Sequence, residues 1–202
     1  MFKTLSISIA ATLVSFAAGL SAQTTEPADS FKVDYFSIPE VLGPDAPDGT
    51  VRITNVGTNI GAGNPSGDMF AVIYVFDPYQ ELTECCGCEI TPDGLLTLSI
   101  YDDLTANPLT GHFLTSGVIK ILGATLSSSP ASNTPLPGLR AWATHVRPIS
   151  GVLTETAFSD ATLSAGELKG LEQACSFIYH EGSGAGICGC GNTEAGALFN
   201  KQ

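Results

Sequence analysis

The sequence predicts a mainly β protein: an antiparallel β-sandwich, immunoglobulin-like or jelly-roll-like, with one C-terminal helix tethered to it by a disulfide. Three observations carry this reading. Short apolar or alternating runs recur along the chain, with Gly, Pro, Asn and Asp clusters between them. The composition holds 22 Gly and 12 Pro with only 14% charged residues, a profile of short strands joined by turns. Only one segment, about 165–180, repeats its apolar residues at helical spacing, and that segment contains a cysteine.

The elements follow in order. Phe31, Val33 and Tyr35 alternate with Lys32, Asp34 and Phe36, a strand suited to a sheet edge. Gly43–Gly49 is a turn rich in Pro and Asp, and Thr50–Val56 alternates again. Asn55–Gly67 reads as a loop. Met69–Phe76, apolar throughout and bounded by Asp68 and Asp77-Pro78, reads as a buried central strand. Thr91-Pro92-Asp93-Gly94 is a turn. Leu95–Ile100 follows as a strand, which Asp102-Asp103 breaks. Val118–Leu122, Leu139–Val146 and Val152–Phe158 complete the set, with a loop over 127–137 and a turn over 147–151. Ser164 and Glu167 make a capping box, and Leu168, Leu171, Cys175 and Ile178 share one helical face.

The N-terminus has the three-part layout of a secretory signal: Lys3, an uncharged apolar run, then small residues to Ala22. That run falls short of the roughly 20 residues a membrane span prefers. The expected organisation is a signal peptide over 1–22, a flexible leader over 23–30, and a single β-sandwich domain over 31–202 ending in the helix and a Gly- and Cys-rich tail. The expected location is secreted or extracellular, or periplasmic, with no membrane insertion after signal cleavage. The whole chain carries a formal net charge of −12. Removing 1–22 takes away Lys3 alone, leaving seven cations against twenty acids, or −13. So few cations argue against a nucleic-acid partner, whose affinity comes mostly from neutralised phosphates.

Six cysteines, Cys85, Cys86, Cys88, Cys175, Cys188 and Cys190, are an even number, read in an exported chain as three disulfides. Adjacent cysteines rarely pair with each other. The first cluster is therefore expected to bond to the Cys175/Cys188/Cys190 cluster, closing a loop of about a hundred residues and stabilising the fold by roughly 3 to 5 kcal/mol. The Cys-Gly-Cys units do not match the usual structural zinc spacing, so no metal and no cofactor is expected.

Other constellations are weak. His112, His145 and His180 fall in unlike segments and read as structural or solvent-facing. No Gly-x-Ser-x-Gly elbow occurs. Asp102/Asp103 and Glu81/Glu84 read as loop acids rather than a hydrolytic pair, and Asp45, Asp48, Asp102 and Asp103 offer loop oxygens to Ca²⁺ without EF-hand spacing. Trp142 is the only tryptophan. Carbohydrate-binding faces usually show several aromatics, and most Phe and Tyr here read as core.

Three runs carry a resemblance: Glu84-Cys85-Cys86-Gly87-Cys88, Thr91-Pro92-Asp93-Gly94-Leu95, and Leu163-Ser164-Ala165-Gly166-Glu167-Leu168. Together with Tyr74–Glu81 and Asp103–Thr110, they resemble a family of uncharacterised secreted bacterial Cys-rich β proteins. The likeness covers most of 50–190. It implies no activity and transfers no catalytic residue. It also implies a further cysteine pair in relatives, near Phe70 and Ser132, that this chain lacks.

Three functions follow as expectations. The first is a non-enzymatic extracellular structural or adhesive module, with self-association by exchange of the strand at 31–36 as a specific form. The second is a module that binds carbohydrate or another small extracellular ligand, with or without Ca²⁺. The third is a secreted enzyme, or a metal or redox protein built on the cysteines. The expected partners are other copies, extracellular matrix or glycan.

Overall fold

The computed structural model describes residues 29–38, 48–61, 63–105, 114–125, 133–146 and 152–181, with backbone only for 179–181. The signal peptide, most of the leader, the turns at 43–47 and 147–151 and the C-terminal tail lie outside these residues.

Among the described residues, nine strands form two antiparallel sheets. They are β1 (Phe31–Ser37), β2 (Thr50–Asn55), β3 (Met69–Phe76), β4 (Leu82–Ile90), β5 (Leu95–Ser99), β6 (Ser116–Ala124), β7 (Leu139–Val146), β8 (Leu153–Ala157) and β9 (Ser159–Asp160). One sheet has the order β4-β3-β6-β1-β9 and the other β5-β2-β7-β8. Only the β3–β4 and β7–β8 connections keep consecutive strands in one sheet; the rest of the chain passes back and forth across the sandwich. Helix α1 (Ala165–Glu181) lies against the outer face of the five-stranded sheet.

The continuous apolar run of β3 now has a cause. Met69, Ala71, Ile73 and Val75 face the other sheet, in a core with Val51, Ile53, Leu98, Ile119 and Ile121. Phe70, Val72 and Tyr74 face the opposite way, in a second cluster with Leu122, Leu171 and Cys175 beneath the helix. A strand buried on both faces has no position left for a polar side chain.

The structure departs from the sequence reading in several places. The cysteine run is itself a strand, β4, paired with β3 from Met69↔Ile90 to Phe76↔Leu82. Asp102-Asp103 does not simply end β5; Ile100–Leu104 forms a single π-helical turn. β1 is not an outermost strand. It pairs along its whole length with β6, and β9 covers Lys32 and Val33 on its other side. The strand expected over Val152–Phe158 pairs with β7 as far as Ala157. It then crosses at buried Phe158 and joins the opposite sheet as β9. One edge of the sandwich is thereby stitched shut by a single piece of chain. The capping box is half-formed: the Glu167 N–H donates to Ser164 Oγ at 3.1 Å, while the Glu167 carboxylate turns away and pairs with Lys120 at 2.7 Å.

Two glycines test this packing in opposite directions. A methyl group on Gly117 would run into the Phe76 carbonyl and the Phe36 ring, whereas one on Gly170, in the helix, would meet nothing. Gly117→Ala is expected to destabilise by about 1 to 3 kcal/mol. Gly170→Ala is expected to stabilise by about 0.5 to 1 kcal/mol. Urea midpoints of the two variants check both signs.

Candidate functional site

The cysteine cluster is divided by the pleat of β4. Cys85 lies opposite Tyr74 and shares the helix-side cluster, while Cys86 and Cys88 lie opposite Ile73 and Ala71 and face the inter-sheet core. Cys85 is bonded to Cys175 across a Cα–Cα distance of 5.5 Å, as the helical stripe foretold. Both sulfurs are buried, which suits a staple better than a redox centre. Cys86 and Cys88 are disulfide-bonded as well; the partners expected for them, Cys188 and Cys190, lie outside the described residues. Among the described residues no cysteine is free.

Beside this staple the helix is held by charge. The Lys120 ammonium bonds the Glu167 carboxylate and lies 5.4 Å from the centre of the Phe76 ring. Glu172 accepts the backbone N–H of Asn133 at 2.7 Å. Between these contacts lies Tyr74, fully buried, whose hydroxyl has no hydrogen-bond partner among the described residues. Burial, reinforced by the negative charge of Glu172, pushes its ionisation well above the ordinary phenol range.

A second polar group lines the stitched edge. Lys32 is buried, and its ammonium meets Asp29 at 3.3 Å and also Asp160, the residue opposite it on β9. Arg140 bonds the other Asp29 oxygen at 2.9 Å. Farther along, Asp34 points inward from β1 toward His145 of β7 and Thr156 of β8. His145 Nε2 lies 2.6 Å from Thr156 Oγ1 and 3.5 Å from Asp34 Oδ2, and Tyr35 covers the imidazole at 5.0 Å between ring centres. An acid, an imidazole and a hydroxyl are thus gathered, but not as a relay. A relay needs the acid on one ring nitrogen and the hydroxyl on the other. Here both reach Nε2, so the group acts as a clasp between the sheets.

Two of the acids considered for Ca²⁺, Asp48 and Asp103, brace the π-helical turn. Asp48 accepts the Ser99 hydroxyl and the Tyr101 N–H, and Asp103 accepts the Ser99 N–H at 2.7 Å. Burial raises Asp48 above the usual carboxylate range despite these bonds. Asp45 is outside the described residues. Glu84 is buried in β4 and Glu81 exposed before it, so the two do not share an environment. Among the described residues no group of three or more His, Cys, Asp or Glu is placed to hold a metal ion. Of the three histidines only His145 has a described side chain.

A third arrangement is on the outer face of the four-stranded sheet. Val51, Ile53, Ala141 and Ala143 point into the core, so Arg52 and Trp142 between them point out. Register sets Thr97, Arg52, Trp142 and Ala157 side by side across all four strands. Arg52 reaches Thr144 at 3.1 Å and Glu155 at 3.3 Å. Arg140 stands two residues from Trp142 on the same face. Sequence reasoning singled out Trp142 but missed its neighbours. Alternation in β2 and β7 marks Arg52 and Arg140 as outward, yet only register brings them to the ring. Phe31, Phe36, Phe70, Tyr74 and Phe158 are core as expected, whereas Tyr35, Tyr79, Tyr101 and Phe177 are exposed.

Comparison of the chain with protein-family models, curated proteins and solved structures returns no match.

Two variants probe these contacts. The Arg140 guanidinium, assisted by Lys32 and opposed by partial burial, holds Asp29 below its ordinary pKa of 3.8. A lowered carboxylate pKa contributes stability above the unfolded-state value, and that stability is lost as pH falls through the folded value. Asp29→Asn should therefore lower the urea midpoint at pH 7 and leave it less changed near pH 2. Tyr74→Phe removes a hydroxyl that gains nothing from burial. It is expected to leave stability unchanged or raise it by up to about 1 kcal/mol. A clear loss in thermal or urea unfolding would mean that the hydroxyl has a partner.

Proposed function

We propose that this protein is a secreted, non-enzymatic structural or adhesive module of the cell exterior. The observation that carries this reading is the use made of its charged side chains. Lys32, Arg52, Lys120 and Arg140 each engage a carboxylate on a different element or segment. These contacts pin strand to strand, and helix to sheet, in the way a load-carrying module requires. The oxidised Cys85–Cys175 bridge and the three-part N-terminus support an oxidising, exported setting.

Self-association is the specific form proposed. β1 is the first strand of the described residues and pairs within its own chain, with Phe31 and Phe36 buried. A neighbour's β1 can take the same place only by full exchange, leaving every contact intact but intermolecular. Native mass spectrometry of the exported mature protein is the test. Oligomers built from chains six hydrogens lighter than the fully reduced mass are expected. A strict monomer at high concentration that turns over a substrate, with turnover abolished by one side-chain change that spares the fold, would overturn the reading.

A further inference from the structure

We propose that the outer face of the four-stranded sheet binds a neutral polysaccharide, with Trp142 as the stacking platform. The inference deepens the adhesive reading above by naming a ligand class. Sugars need two things from a protein surface: a flat apolar patch for their C–H face, and planar groups that both donate to and accept from adjacent hydroxyls. Both occur here within one strand spacing. Trp142 is half-buried on the sheet between Arg52 and Ala157, its direct cross-strand neighbours. Ala157 is small and exposed, so the β8 side of the indole carries no bulky neighbour.

Arg52 and Glu155 supply the polar half. Their side chains are paired at 3.3 Å and remain 37% and 52% exposed. The guanidinium has five N–H donors in a fixed plane, and its bonds to Thr144 and Glu155 leave several outward. The second Glu155 oxygen is an acceptor beside them. A donor fork next to an acceptor matches two adjacent hydroxyls, each of which can both donate and accept.

Charge selects a neutral ligand over an acidic one. Both arginines are already matched by carboxylates, Arg52 by Glu155 and Arg140 by Asp29, so an anion meets no unneutralised cation there. The chain as a whole carries −12 and repels polyanions. A sugar hydroxyl can add to these pairs without separating them.

Because Trp142 is the only tryptophan, its fluorescence reports on the site directly. The oxidised mature protein would be titrated with soluble xylan, β-glucan and mannan, with polygalacturonate as the acidic comparison, and tested for retention on cellulose and chitin. The expected result is saturable binding to at least one neutral polysaccharide, with a shift or quenching of the tryptophan emission. That binding should survive both EDTA and 1 M NaCl on the order of the Debye argument, since no metal or long-range attraction holds it. Trp142→Ala should weaken it about tenfold or more, and Arg52→Gln by a smaller factor, with unfolding midpoints near that of the parent. Three results would overturn the proposal: no binding to any neutral polysaccharide, binding without change in tryptophan emission, or binding to polygalacturonate alone that salt abolishes. If Trp142→Ala fails to fold, the emission change in the unmodified protein still decides. Oligomers without sugar binding would sink this inference and leave the adhesive reading standing; turnover of the polysaccharide would sink the adhesive reading instead.

Discussion

Burial of β3 on both faces is the constraint from which the rest of the architecture follows. A sheet in a two-layer sandwich ordinarily hides one face and wets the other. Here Phe70, Val72 and Tyr74 need a second cover, and α1 supplies it. The helix must then be held to the sheet. Leu168, Leu171 and Cys175 do this by apolar contact, the Cys85–Cys175 bond does it covalently, and Lys120–Glu167 does it by charge. The fold is thus locally three layers thick, and the strongest cross-link lies beside the strand that most needs covering.

Much of this was legible in the sequence because the signals were local. The unbroken run at 69–76 could only be a buried strand, and Leu171, Cys175 and Ile178 could only share a helical face. β4 escaped notice for a physical reason. Cys and Gly carry little strand preference, and Thr-Glu-Cys-Cys-Gly-Cys shows no polar–apolar alternation, because both of its faces are covered. The crossing at Phe158 was invisible too. Val152–Phe158 reads as one strand, and nothing in that run says that the hydrogen-bonding partner changes from β7 to β1 after Ala157.

The polar groups were harder still. Asp34, His145 and Thr156 meet across two sheets from three distant segments, so no spacing rule could assemble them. Arg52, Trp142 and Glu155 come together only through the register of β2, β7 and β8. Glu167 illustrates the reverse case. Its spacing from Ser164 fits a local cap, but an ammonium on β6 competes for the same carboxylate and wins. A charged partner in a partly buried setting outweighs one backbone donor.

The stitched edge has a consequence for the order in which the molecule can assemble. β1 is the first strand to leave any machine that releases the chain from its N-terminus, yet its two neighbours, β6 and β9, come far later in the sequence. Until Asp160 has emerged, Lys32 has no β9 to meet and the edge cannot close. Such long-range pairing makes for slow folding, because loop closure must precede the contacts that reward it. The thiols share this delay. Cys85 precedes Cys175 by 90 residues and meanwhile has only Cys86 and Cys88 for company. A bond from Cys85 to either of them must be exchanged before Cys85 can pair with Cys175 on the helix. Maturation of the covalent framework is thereby tied to delivery of the last helix.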